Sequence, residues 1–329
     1  MKRDLVMVLC AGLAALGCDS GAPAPSAEPP ARSAVPGASS ADARPAPGAA
    51  GVDPKAVEAA TGGKAEVTEG IAKVSFPRDD VKVDVDGWTM PPFMGLTSWA
   101  AFSPATKPGV EAMVMGDLVL FEDEVSDAMS AALAGGLEVT ALHNHFFYDR
   151  PKVYFMHIGG EGKVDALGKG VRAALDAAKA VRKKAPQPRD RFEGPPIPTP
   201  SAIDAAKVEA ALGAKGAAKD GMVKVVIGRT ATVADCGCKV GKAMGVNTWA
   251  AFAGRDDDAV VDGDFAVTEG ELQPVLKALR GGGIHVVAIH HHMTGEEPRI
   301  LFLHYWGRGP VAALGTTLKS ALALTKVDQ

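Results

Sequence analysis

The chain has 329 residues and a formal net charge of −4, from 35 Lys+Arg against 39 Asp+Glu. That length accommodates two domains of ordinary size. The balanced charge, with no basic stripe, excludes nucleic acid as a partner class, and no nucleotide-cofactor motif appears.

Lys2 and Arg3 precede an apolar run, Leu5 to Leu16, that is too short to span a bilayer and ends in Ala-Leu-Gly-Cys18. Residues 1–18 read as a bacterial lipoprotein signal peptide with Cys18 as the lipidated residue. This predicts a cell-envelope protein held to a membrane by its lipid and facing the periplasm or the exterior. An ordinary secretory signal is the alternative and changes only the anchor. Residues 19–50 are Ala, Pro, Ser and Gly with few large apolar side chains, too little to offset ordering entropy, and predict a disordered tether.

From residue 51 the chain states one pattern and then repeats it. VEAATGGK at 57–64 returns as VEAALGAK at 208–215, and GIAKVSFPR at 70–78 as GMVKVVIGR at 221–229. TSWAAF at 97–102 returns as NTWAAF at 247–252, and GDLVLFEDE at 116–124 as GDFAVTEGE at 263–271. The copies span 51–182 and 201–329, joined by a proline-rich linker over 183–200.

Each copy predicts the same order of elements. An Ala-rich helix (54–61; 203–212) leads to a short strand (72–76; 223–227), a strand bearing Trp99 or Trp249, and another at 112–120 or 259–267. A helix over 124–134 or 272–280 ends at glycines. A histidine-bearing hairpin and a closing helix (164–181; 311–324) complete the copy. The fold class is α+β: two tandem homologous domains, each a mainly antiparallel sheet with helices on one face. The second face of each sheet is expected to be covered partly by the other copy or to form the site.

The hairpin carries the strongest chemical signal. Its sequence ALHNHFFYDRPKVYFMHIGG at 141–160 returns as AIHHHMTGEEPRILFLHYWG at 288–307. His143, His145 and His157 become His290, His292 and His304, all displaced by 147 positions (290 − 143, 292 − 145, 304 − 157). Strand alternation puts His143 and His145 on one face, and pairing across a Tyr148–Pro151 turn brings His157 to them. Three converging imidazoles suit a divalent transition metal, zinc above others. The plainer alternative is hydrogen-bonded, half-buried structural histidines.

Other repeated residues carry weaker signals. Glu124 and Glu271 stand at the start of a helix, as general-base or fourth-ligand candidates or as acidic first-turn residues that suit the macrodipole. Thr268 and Glu271 fit a capping box, whereas Phe121 occupies the cap position before Glu124. Asp117 and Asp264 interrupt apolar strands, and exposure on the outer face is the simplest reading. Trp99, Trp249, Phe102 and Phe252 are read as core, and Asp256–Asp258 as a solvated hairpin tip. Cys236 and Cys238, confined to the second copy, are candidates for a local disulfide, with a soft-metal pair as the alternative.

The segments PRDDVKVDVDGWTMPPFMGLTSWAAF, VMGDLVLFEDEV and VTALHNHFF…FMH resemble the LppY/LpqO lipoprotein family of bacterial envelopes. The resemblance is strong over 51–182 and weaker over 201–326, where GRTATVADCGCKVGKAMGVNTWAAF replaces the Arg-Asp-Asp and Asp-Gly-Trp segment. It implies an envelope lipoprotein and couples the His-Asn-His, Gly-Asp and Glu-x-Glu blocks, without implying a reaction.

The first functional reading is an envelope module binding a metal ion or a small molecule in each copy. A metal-dependent hydrolase or lyase using a metal-bound water is the alternative, and a structural lipoprotein the third reading. Peptidoglycan metallopeptidases share the His-x-His element but add an upstream His-x-x-x-Asp, and no histidine precedes His143.

Overall fold

The computed structural model describes residues 51–326. The leader, Cys18 and the tether therefore lie outside the described residues. In the first copy the elements are α1 (Pro54–Thr61), β1 (Ala65–Thr68), β2 (Ile71–Pro77), β3 (Asp84–Val85), β4 (Trp88–Thr89), β5 (Thr97–Pro104) and β6 (Ala112–Phe121). Then come α2 (Glu122–Ala134), β7 (Glu138–His143), β8 (Asp149–Arg150), β9 (Val153–Gly162) and α3 (Val164–Lys184). The second copy repeats them as α4 (Ala205–Leu212), β10 (Gly216–Lys219), β11 (Met222–Gly228), β12 (Ala231–Val233), β13 (Cys238–Val240), β14 (Asn247–Arg255) and β15 (Asp258–Thr268). It closes with α5 (Glu269–Gly281), β16 (His285–His290), β17 (Glu296–Glu297), β18 (Ile300–Gly309) and α6 (Val311–Leu322).

The two copies share one twelve-stranded sheet, ordered β1-β2-β5-β6-β9-β7-β16-β18-β15-β14-β11-β10, with each named pair antiparallel. The order reads the same from either edge once each strand is replaced by its counterpart. The halves meet where Leu142 of β7 pairs with Ile289 of β16, residues that are themselves counterparts (142 + 147 = 289). A pseudo-twofold axis therefore passes through that pair. The α+β class and the mainly antiparallel sheets stand as expected, but the copies join edge to edge rather than covering each other's faces.

One apolar core runs under all six helices and through both halves, from Val57 and Val74 through Leu142 and Ile289 to Leu303 and Leu318. The opposite face carries two smaller clusters. Val81, Val83, Met90 and Leu96 cover Val119, Phe121, Val153 and Phe155 in the first copy. Ala231, Val240 and Val246 cover Ala266, Ile300 and Phe302 in the second. Each of these flaps is tied down by a three-stranded sheet, β4-β3-β8 or β13-β12-β17.

The Gly-Asp block has a steric explanation. A Cβ on Gly263 would meet the Tyr305 hydroxyl at 2.1 Å, and one on Gly116 would meet the Trp99 carbonyl oxygen at 2.7 Å. Glycine allows the close approach at the core face, and the following aspartate then points to the other side of the sheet.

Asp256–Asp258 forms the expected polar turn, with Asp256 bound to Lys207 at 2.6 Å and Asp258 to Arg308. Cys236 and Cys238 are joined by a disulfide. Among the described residues, no helix is long and apolar enough to cross a membrane.

Candidate functional site

Leu142 and Ile289 belong to the core, so their neighbours His143 and His290 point to the opposite face of the sheet. His157 and His304, flanked by core residues Met156 and Leu303, point the same way. The open face thus carries two identical rows. Trp99 pairs with Asp117, Asp117 with His157, and His157 with Ala141. Trp249 pairs with Asp264, Asp264 with His304, and His304 with Ala288.

The histidine stretch departs from a simple hairpin. β7 ends at His143, which pairs with Phe155, and an irregularity between Val139 and Ala141 shifts the register. His157 is therefore diagonal to His143 rather than opposite it. Residues 144–152 leave the sheet and contribute β8 to the flap, so His145 is carried by a loop. A buried carboxylate fixes that loop's return: Asp149 Oδ2 accepts from Val153 N–H at 2.7 Å, and Glu296 Oε1 from Ile300 N–H at 3.0 Å.

The rings nevertheless meet. His143 lies 5.2 Å from His145 and 5.1 Å from His157 between ring centroids. His290 lies 5.1 Å from His292 and 5.0 Å from His304. Two imidazoles on one zinc ion, with bonds of about 2.0–2.1 Å and tetrahedral angles, place their centroids about 5 Å apart. His145 stacks on Phe155 and His292 on Phe302, each at 3.4 Å, so the flap clusters position the loop histidines. The rings lie largely face to face, and among the described residues no group of three or more His, Cys, Asp or Glu is arranged to hold a metal ion as it stands.

Asp117 and Asp264 correct the expectation of outer-face exposure. They are 8% and 2% exposed, and one carboxylate oxygen of each, Oδ1, has no hydrogen-bond partner within the protein. Burial pushes Asp264 up to about 6, with His304 opposing the shift. Its Oδ2 lies 3.8 Å from His292 Nε2. Burial, together with neighbouring histidines, holds His145, His290 and His292 below the ordinary imidazole value. His290 Nδ1 is also buried without a partner.

The tryptophans correct a second expectation. Phe102 and Phe252 are core, but Trp99 and Trp249 stand on the open face beside the aspartates. Lys73 lies 4.6 Å over Trp99 and Lys224 lies 3.9 Å over Trp249.

Glu124 and Glu271, read as candidate catalytic residues, serve the fold instead. Glu124 is fully buried, chelated by Arg78 at 2.7 and 3.0 Å and approached by Arg182 at 2.7 Å. Glu271 is held by Arg229 at 2.6 and 3.1 Å. Each also accepts the N–H three residues before it, at Phe121 and Thr268. Copy one therefore has the glutamate half of a capping box without a threonine.

The pairing of Leu142 with Ile289 places the two clusters together. Continuing that register sets His143 opposite Ala288 and His290 opposite Ala141. His143 and His290 are then diagonal neighbours, about 7–8 Å apart at their Cα atoms. Six histidines and two aspartates thus surround a small-residue floor on the pseudo-twofold axis.

The chain belongs to the family described as a Domain of Unknown Function (DUF1259), whose model matches it twice, over residues 55–177 and 206–324. The duplication is thereby a tandem pair of one uncharacterised domain. No curated protein matches the chain. Among solved structures it is similar to a double-ringed trimeric shell protein from the RMM microcompartment, at 13% identity over 65% of this chain and 82% of that one. The TM-score is 0.17, a likeness that carries no argument.

Proposed function

We propose that the protein is an envelope lipoprotein of the LppY/LpqO kind whose two histidine clusters take up a divalent transition metal, zinc above others, on one shared face. The observation that carries this reading is the exact repetition of a three-histidine, one-aspartate row whose buried Asp117 and Asp264 each keep an unpaired carboxylate oxygen. An unpaired buried acceptor is costly, and a cation satisfies it. Imidazole nitrogen and carboxylate oxygen are ordinary zinc donors. His143, His145, His157 and Asp117 would hold one ion, and His290, His292, His304 and Asp264 the other.

A bound zinc ion would supply Lewis-acid polarisation of a small oxygen-bearing ligand. The protein supplies the rest: the aspartates set the charge of the face, and Trp99 and Trp249 provide flat walls on which a ligand rests. Binding is favoured over hydrolysis because Glu124 and Glu271 are bound to arginines and neither is free to act as a base.

Chelator-stripped full-length protein titrated with zinc in a calorimeter should bind about two equivalents at pH 7. Ligands must be neutral imidazoles, and burial holds His145, His290 and His292 below their ordinary value, which favours the neutral form of these three. Uptake should fall as pH drops from roughly 7 to 5, where protons compete. Absence of uptake, or uptake indifferent to pH, would count against the reading.

The anchor is tested separately. The precursor should incorporate a fatty-acid analogue and sediment with membranes, and Cys18→Ser should abolish both; undiminished labelling of that variant would rule the lipid anchor out.

A further inference from the structure

Near the junction of the copies, one side chain shows how a gap in the sheet is filled. Gln273 of α5 reaches the edge of β7, where its Oε1 accepts from Val139 N–H at 3.0 Å and its Nε2 donates to the Val139 carbonyl at 2.9 Å. The polar groups of Val139 therefore point out of the β7–β9 ladder, toward the gap beyond the single Leu142–Ile289 pair. A primary carboxamide, with an acceptor beside a donor, satisfies both.

The pseudo-twofold axis generates a second such gap at Val286, the counterpart of Val139 (139 + 147). Val286 faces Tyr305 in β18 as Val139 faces Ile158 in β9, so its N–H and C=O point outward in the same way. The residue at the position of Gln273 is Ser126 (273 − 147). Its side chain is too short to reach the strand edge, and its Oγ lies 2.6 Å from His285 Nδ1 instead. In place of a plug there is a cleft of about 450 Å³, whose lining includes Ser126, Tyr154, Phe192, His285, Val286 and Trp306. Phe192, from the linker between the copies, lies 4.6 Å from the His285 ring.

We propose that this cleft binds a small aromatic carboxamide. The amide oxygen accepts from Val286 N–H and the amide N–H donates to the Val286 carbonyl, as Gln273 does at Val139. The ring rests among Tyr154, Phe192 and Trp306. Gln273 is thus an internal copy of the ligand's head group, and the two copies of the domain have diverged into one plugged and one open version of the same gap. The cleft adjoins the second histidine row, since Ala288 and His304 also line it, but the carboxamide is held at the Val286 backbone and uses none of the proposed metal ligands.

The test uses benzamide as the probe and the tryptophan fluorescence of the full chain as the readout, because Trp306 lines the cleft. Wild-type protein should show saturable binding of one equivalent. Methyl benzoate, which keeps the ring and the acceptor but lacks the donor, should bind at least tenfold more weakly. Ser126→Gln rebuilds the plug of the other gap and should weaken benzamide binding at least tenfold while raising Tm. Equal affinity for benzamide and methyl benzoate, or unchanged binding in a folded Ser126→Gln protein, would overturn the proposal. So would the lack of saturable benzamide binding by the wild type, whatever the variant does.

Discussion

Arg229→Ala is expected to destabilise the fold by about 3–5 kcal/mol, the usual result of removing one partner from a buried ion pair. Arg229 is 5% exposed, donates twice to Glu271 and once more to the Ala266 carbonyl at 3.0 Å. Without it, Glu271 keeps only backbone donors, at Thr268 and Lys326. Arg78→Ala in the first copy should cost less, because Arg182 still approaches Glu124 there. The pH dependence gives a second handle. Burial alone would raise Glu271, but the hydrogen bonds from Arg229 and from the Thr268 and Lys326 backbone, with the Arg229 charge, together outweigh it and hold the carboxyl at about 2, below the ordinary 4.5. A depressed native pKa means stabilisation that is full above about 4.5 and is lost as pH falls toward 2. Urea denaturation of wild type and variant at pH 7 and pH 3.5 should show a difference that shrinks at the lower pH. A loss below about 1 kcal/mol at pH 7 would mean the ion pair is not what holds α5 to the segment that follows β11.

The second large effect concerns the histidines. His145→Ala should remove about one equivalent of zinc and leave the other, and His292→Ala should do the same for the second copy. Because the diagonal His143 and His290 bring the clusters together, the remaining equivalent should bind with altered affinity in each single variant. The double variant should bind none, with its fold retained, since His145 lies on an exposed loop and His292 also lies on a loop beyond its strand. Asn144→Ala, at a position that the second copy replaces with His291, should leave titration unchanged. Zinc uptake by a folded double variant would reduce these histidines to packing.

Much of this arrangement was legible in the chain. The duplication, the helix at Pro54–Thr61 and the 147-residue spacing of the histidines all follow from repeated blocks and periodicity. The edge-to-edge union of the halves was not legible, because it rests on one pairing, Leu142 with Ile289, in strands whose pattern is that of any buried segment. Asp117 and Asp264 were misplaced for a related reason: alternation assigns them a face, but not whether a flap and neighbouring histidines bury that face. Trp99 and Trp249 were assigned to the core because size and apolarity favour it, whereas the lysines stacked on them show a half-exposed face. The Arg78–Glu124 and Arg229–Glu271 pairs link blocks 46 and 42 residues apart, a distance that single-sequence periodicity does not bridge.

The central claim is tested most directly by the zinc X-ray absorption spectrum of the full chain loaded with two equivalents. The account predicts a shell of nitrogen and oxygen at about 2.0–2.1 Å with the outer-shell scattering of about three imidazoles per zinc. An oxygen shell without imidazole scattering, or a thiolate sulfur shell at about 2.3 Å, would contradict the histidine sites.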